Sequence, residues 1–100
     1  MLRGQKLASF LKNARTSAGL SQKEVAVVLG YKSSQFVSNW ERGLSSPPIG
    51  TLRHLCRLYK TDEREVFQII REIAIQKLES DLEREFYSER PREKSTTEVG

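Results

Sequence analysis

The chain contains 100 residues, of which 37% are hydrophobic and 30% are charged, and its formal net charge is +4 at pH 7. This length allows one small domain with a modest core, and the hydrophobic share argues against wholesale disorder. A single cysteine excludes an intramolecular disulfide and a cysteine-based zinc site. The apolar runs are too short to cross a membrane, and Lys12 interrupts any signal-peptide core. We therefore expect a cytoplasmic protein with no membrane partner.

The positive charge is concentrated in the first part of the chain. Residues 1–60 hold ten Lys or Arg against two acidic residues, whereas residues 61–100 hold seven against eleven. A basic segment followed by an acidic one predicts a polyanionic partner for the first segment alone.

The first predicted element is an amphipathic helix over residues 4–18, which Gly19 ends. Its apolar positions recur every three or four residues: Leu7, Phe10, Leu11, Ala14 and Ala18. A targeting peptide is the alternative interpretation. Because so small a core needs this apolar face, we expect the helix to belong to the domain.

A capping box opens the second predicted helix. Ser21 can accept a hydrogen bond from the backbone NH of Glu24, whose side chain can reach back to Ser21. One apolar side follows, made by Val25, Ala26, Val28 and Leu29. Gly30 can adopt the left-handed conformation that closes such a helix at no steric cost.

Ser33 is predicted to cap a third short helix, which Gly43 ends and in which Val37 and Trp40 are buried. Its exposed face carries short polar groups: Ser34, Gln35, Ser38 and Asn39. Two short helices joined by a glycine turn indicate a helix-turn-helix, whose second helix enters the major groove of DNA. A generic helical hairpin is the alternative, and the polar face disfavours it because a merely solvated face usually carries Lys and Glu.

This segment resembles the Cro/C1-type, lambda-repressor-like family of helix-turn-helix repressors. The matching motifs are Arg15, Gly19-Leu20-Ser21-Gln22, Ala26, Leu29-Gly30, Val37-Ser38, Trp40-Glu41-Arg42-Gly43 and the proline soon after. The resemblance covers residues 4–68 and implies that Arg15 pairs with Glu41. It also implies that Gln22 contacts phosphate or braces the reading helix. The connection from Gly30 to Ser33 is one residue longer than usual in the family.

Pro47 and Pro48 precede a fourth predicted helix, and either can occupy its first helical position. The apolar stripe of this helix consists of Ile49, Leu52, Leu55, Cys56 and Tyr59. Because Cys56 lies on the stripe, we interpret it as a core residue rather than a nucleophile. His54 lies off the stripe and is interpreted as a surface residue.

A long fifth helix is predicted over residues 62–88, with Asp62 and Glu65 as an aspartate version of a capping box. The resemblance places glycine before it, where this chain has Lys60. The apolar residues along the helix are Val66, Phe67, Ile69, Ile70, Ile73, Ala74, Leu78, Leu82 and Phe86. The first two are expected to complete the core. Pro91 is expected to stop the helix.

The predicted fold is therefore all-α, a five-helix lambda-repressor-like domain with an extended C-terminal helix. Residues 1–68 would form the helix-turn-helix domain. Residues 69–90 would form a helical extension for dimerisation or partner binding, and residues 91–100 a disordered polar tail.

The predicted function is sequence-specific binding of double-stranded DNA by a transcriptional regulator, a repressor acting as a homodimer. Gln35 is the best base reader because its amide can bond bidentately to adenine, and Asn39 could do the same. Phe36 either meets a thymine methyl group or folds back on the domain. Neighbouring polar and basic groups would contact phosphates or, for the serines, bases. The candidate DNA-binding residues are Gln22, Lys23, Lys32, Ser33, Ser34, Gln35, Ser38, Asn39 and Arg42.

The candidate dimer or partner contacts are Ile73, Leu78, Leu82 and Phe86. The last three lie beyond the reach of so small a core, and an isolated helix would leave them exposed. A second copy of the chain is one occupant. The alternative is an antitoxin whose C-terminal helix binds a toxin protein. An enzyme is not expected, because the sequence has no nucleophile–base pair, phosphate-cradling glycine loop or metal-ligand spacing, and no cofactor is expected.

Overall fold

The computed structural model of the protein describes residues 2–88, and all regular secondary structure in this range is helical. The five helices are α1 (Leu2–Ser17), α2 (Gln22–Leu29), α3 (Gln35–Glu41), α4 (Ile49–Tyr59) and α5 (Glu63–Phe86). The all-α prediction is thus confirmed. The predicted stop at Pro91 and the predicted disordered tail lie outside the described residues.

The predicted capping box is present at the start of α2. Ser21 Oγ accepts from the backbone NH of Glu24 at 3.0 Å, and the Glu24 carboxylate accepts from the backbone NH of Ser21 at 2.8 Å. Gly30, at φ 85°, ends the helix in the left-handed conformation. The left-handed conformation explains why glycine occupies this position, because residues with a Cβ rarely adopt that conformation.

The ends of α3 differ by a residue or two from the prediction. Ser34, rather than Ser33, is the capping position, and its side chain forms no capping hydrogen bond. The backbone NH of Gln35 instead donates to Ser33 Oγ at 3.3 Å. At the other end the helix stops at Glu41, before Gly43 takes its positive φ of 77°. Adjacent serines made the cap ambiguous, since either can accept from the first turn.

The boundaries of α4 and α5 also need correction. Pro48 is the residue before α4 rather than its first helical residue, and Pro47 lies further out. Lys60 ends α4 in the left-handed conformation, at φ 59°, where the family usually has glycine. The Asp62 side chain caps α5 by accepting from the backbone NH of Arg64 at 2.9 Å, whereas the backbone NH of Glu65 donates to the Asp62 carbonyl at 3.1 Å.

One core joins all five helices. Its buried members are Leu7, Leu11, Ala14, Val25, Ala26, Val37, Trp40, Leu52, Leu55, Cys56, Tyr59, Val66 and Ile69. α1 is central, since it packs against α3, α4 and α5. Burial raises the pKa of Cys56, the opposite of the shift that activates a thiol, so its interpretation as core is supported.

Three apolar residues expected on the buried stripes are exposed instead. Val28, Ile49 and Phe67 are each more than half exposed to solvent. They lie at the edges of their stripes, and a helix that packs on one side of a small core covers a narrow arc. Ala18 is also exposed, because α1 ends before it.

Trp40 anchors α3 in the core. Only 4% of its surface is exposed, and its ring meets Tyr31 edge-on with centroids 6.0 Å apart. We predict that Trp40→Ala lowers the free energy of unfolding by about 3–5 kcal/mol, the usual cost of deleting a large buried aromatic. Chemical denaturation measures this change.

Phe36→Ala is the matched control for that experiment. Phe36 lies on the same helix and is half-exposed, so its removal should cost much less. A Trp40→Ala protein of unchanged stability that had merely lost DNA binding would show that Trp40 is a contact residue rather than a core residue.

Candidate DNA-binding surface

The outer face of α3 presents the polar side chains that the sequence predicts there. Gln35 is exposed, and Ser34, Ser38 and Asn39 are partly exposed. Each of these side chains is therefore accessible to a ligand bound at this face. Phe36 is half-exposed, and its ring lies against Tyr31 with centroids 4.9 Å apart. It therefore both contacts the domain and presents an apolar edge to solvent.

The two amide side chains on this face are bonded to each other. Gln35 Nε2 donates to Asn39 Oδ1 at 3.0 Å, one helical turn further on. An amide nitrogen has two hydrogens, so Gln35 keeps one N–H and its own oxygen for a ligand. A neighbouring donor and acceptor on one amide match N7 and N6 of adenine in the major groove.

A buried ion pair fixes α3 to the rest of the domain. Arg15 donates to both oxygens of Glu41, at 2.7 Å from Nε and 3.0 Å from Nη2. The two side chains are only 10% and 3% exposed. The hydrogen bond to Glu41 raises the pKa of Arg15, so the guanidinium stays charged. The pairing that the resemblance implied is present.

Gln22 completes this cluster from α2. Its Nε2 donates to Glu41 Oε1 at 3.0 Å, while Arg15 Nη1 donates to the backbone carbonyl of Leu20 at 2.8 Å. In the free protein Gln22 thus braces α3, one of the two roles that the resemblance implied. Burial raises the pKa of the adjacent Tyr59 to about 12, and the negative charge of Glu41 adds to the shift.

Three exposed basic side chains lie in or next to the helix-turn-helix segment. Lys23 is at the start of α2, Lys32 is in the turn before α3, and Arg42 follows the helix. Ser33 is exposed in the same turn. Lys32 and Ser33 thus precede α3 in the chain and Arg42 follows it, while Lys23 lies on α2.

Tyr31 is a structural residue of the turn that the sequence analysis did not single out. Its backbone NH donates to the carbonyl of Ala26 at 2.9 Å, and its ring touches both Phe36 and Trp40. The unusually long turn therefore holds an aromatic side chain that packs on α3. The signal available in the sequence was an aromatic residue directly after the helix-closing Gly30.

No group of three or more potential metal ligands occurs within residues 2–88. Over the same range, no helix is both long enough and apolar enough to cross a membrane.

A family model described as a helix-turn-helix domain matches residues 6–67, more than half of the chain. The chain belongs to this family. The match agrees with the all-helical fold and with the resemblance to Cro/C1-type repressors. A helix-turn-helix domain implies DNA binding and suggests a regulator, and the family is typically non-enzymatic. Searches of curated proteins and of solved structures found no match.

We predict that Glu41→Gln destabilises the helix-turn-helix domain by about 3–5 kcal/mol. The substitution leaves the buried Arg15 cation without its carboxylate, which is the costly way to break a buried pair. The matched control is Glu72→Gln, which removes a carboxylate from the exposed ion pair with Lys6 and should change stability little. Equal effects of the two substitutions in thermal or chemical denaturation would contradict the anchoring role of Glu41.

Proposed function

We propose that this protein is a sequence-specific, double-stranded DNA-binding transcriptional regulator that acts as a homodimer. The observation that carries the proposal is the polar, exposed face of α3 on a frame fixed by Arg15, Glu41 and Gln22. Repression is the mode of regulation that the resemblance implies. The cytoplasmic location expected from the sequence belongs to this proposal.

In this proposal Gln35 reads adenine and Asn39 holds its amide in place. Ser34 and Ser38, on the same face, bond to base edges or to phosphates. The remaining proposed contacts, which position the helix on the phosphate backbone, are Gln22, Lys23, Lys32, Ser33 and Arg42. For Gln22 such a contact would have to use the second hydrogen of its Nε2, since the first is donated to Glu41.

We predict that Gln35→Ala and Arg42→Ala weaken DNA binding in different ways. Gln35→Ala should cost about 1–3 kcal/mol at one base-pair position and relax the preference there. Arg42→Ala should weaken binding to all sequences alike. It should also reduce the slope of the logarithm of the binding constant against the logarithm of salt concentration by about one. Selection from a random DNA pool, followed by titration at several salt concentrations, measures both effects.

Neither substitution touches the core, so both proteins should unfold like the unsubstituted chain. An unchanged consensus after Gln35→Ala would mean that another residue reads the bases. Failure of the unsubstituted chain to enrich any sequence would overturn the proposed DNA reading itself.

The proposed homodimer depends on the second half of α5. Ile73 is partly buried against the core, whereas Leu78, Leu82 and Phe86 are 59%, 58% and 79% exposed. A single short helix-turn-helix reads one half-site, so such domains usually pair with their reading helices about 34 Å apart. We propose residues 1–68 as the DNA-binding domain and residues 69–90 as the pairing segment.

We predict that the chain sediments as a dimer at micromolar concentration, and that Leu78→Ser with Leu82→Ser gives a folded monomer. Both side chains are exposed in the monomer, so their loss removes apolar contacts with a second copy but no core contact. Leu44→Ser is the matched control, since Leu44 is equally exposed but lies in the loop after α3.

A monomeric full-length chain, with no other protein present, would contradict the homodimer. It would favour the second candidate, an antitoxin in which the same exposed residues of α5 contact a toxin protein. The observation that supports this alternative is the same exposed apolar surface.

A further inference from the structure

An apolar groove lies between α4 and the first half of α5. It consists of two adjoining depressions of about 330 and 340 Å³ that share Ile49, Phe67 and Ile70 as lining residues. Ala74 lines its outer end. Ile49 and Phe67 are each 61% exposed, although the sequence predicted both as core residues. These two exposed apolar side chains therefore form part of an apolar surface outside the core.

The exposed ridge of α5 leads directly into this groove. Ile70, Ala74, Leu78, Leu82 and Phe86 are spaced by four residues. Because a helical turn contains 3.6 residues, such a ridge winds gradually around the helix. Followed back from Phe86, it turns towards α4 and enters the groove at Ile70. Two ridges spaced by four residues interdigitate when their helices cross at about −50°, the commonest packing class.

The ridge is self-complementary in one antiparallel register. A two-fold axis at the level of Gln76, but on the opposite face of the helix, would set Ala74 against Leu78 of the partner subunit and Ile70 against Leu82 of the partner subunit. The small side chain of Ala74 lets the helices approach where they cross. Because the helices cross at an angle, the Leu82–Phe86 end of the partner subunit would pass to one side of α5 and over the groove that contains Ile49.

The charges favour the same direction. The groove is flanked by Arg53, Arg64 and Arg71 with one acidic residue, Glu63. The far end of α5, residues 78–86, has four acidic side chains and one basic one. An antiparallel pair places each acidic end on a basic groove, whereas a parallel pair would place acidic ends together.

We infer that the α4–α5 groove receives the Leu82–Phe86 end of α5 from a second copy, in an antiparallel crossing centred near Gln76. The inference rests on the homodimer of the proposed function and specifies its interface. It gives Ile49 and Phe67, which are not part of the face proposed to contact DNA, a contact with α5 of the second copy.

Cross-linking of the full-length chain tests this interface. Ile49→Cys and Phe86→Cys replace exposed residues, so neither removes a core contact. The two proteins, one of them carrying a tag that changes its size, are mixed and treated with a short bis-maleimide. The mixture should give the mixed-size covalent dimer, and each variant alone should give monomer. Two Phe86 positions lie about 30 Å apart in this register, at 1.5 Å per residue.

Two controls accompany the mixture. The unsubstituted chain measures background from the buried Cys56, which every variant contains. Leu44→Cys mixed with Phe86→Cys should give no covalent dimer, because Leu44 is exposed but lies in the loop after α3.

Covalent dimer from Phe86→Cys alone would mean a parallel pair and would overturn the inference. A chain that sediments as a dimer but gives no mixed product would place the interface elsewhere and would also overturn it. The DNA-reading part of the proposed function is not involved in this readout. If the cross-linking fails, an enriched DNA consensus would still support the DNA-binding part of the proposed function. If no consensus is enriched, a positive cross-link would still support the interface.

Discussion

The buried ion pair between Arg15 and Glu41 is the contact on which the orientation of α3 depends. α3 has seven residues, and a helix this short is unstable on its own in water. Trp40 fixes it to the core, and the next residue, Glu41, accepts from Arg15 of α1 and Gln22 of α2. Three helices thus share one carboxylate, so the direction of α3 cannot change without breaking these bonds.

An apolar contact could supply similar stability but would define that direction less strictly. Removing two charges from water costs several kcal/mol per ion, and it is offset only when geometry and hydrogen bonding are good. Here both Glu41 oxygens accept from Arg15, and the same guanidinium donates to the carbonyl of Leu20. We interpret this network as a device that fixes the orientation of α3, which the DNA-reading role proposed for this helix would require.

The sequence predicted the helices well because their signals are local. The capping box at Ser21, the left-handed Gly30 and the buried Trp40 each follow from a few neighbouring residues. The edges of the apolar stripes could not be predicted in the same way. Whether Ile49 or Phe67 is covered depends on the angle between α4 and α5, which periodicity within one helix does not contain.

The candidate site shows the same division between local and tertiary information. Helical spacing predicts the polar face of α3 and the adjacency of Gln35 and Asn39. It does not predict that the two amides are hydrogen-bonded to each other. An exposed side-chain amide has several partners of similar energy, including water. Composition therefore predicts which groups face outward, while their mutual orientation requires the folded positions of both.

The charge distribution along the chain distinguishes the α3 face proposed to bind DNA from the α5 ridge proposed to pair. DNA repels acidic side chains, so for an α3 that reads DNA the acidic end of α5 must lie away from the phosphate backbone. The first 60 residues carry the basic excess, and the acidic excess follows them. An apolar ridge on the acidic segment can pair without competing for the DNA-facing surface. Because burial of apolar area depends less on salt than phosphate contacts do, such a dimer would persist at salt concentrations that release DNA.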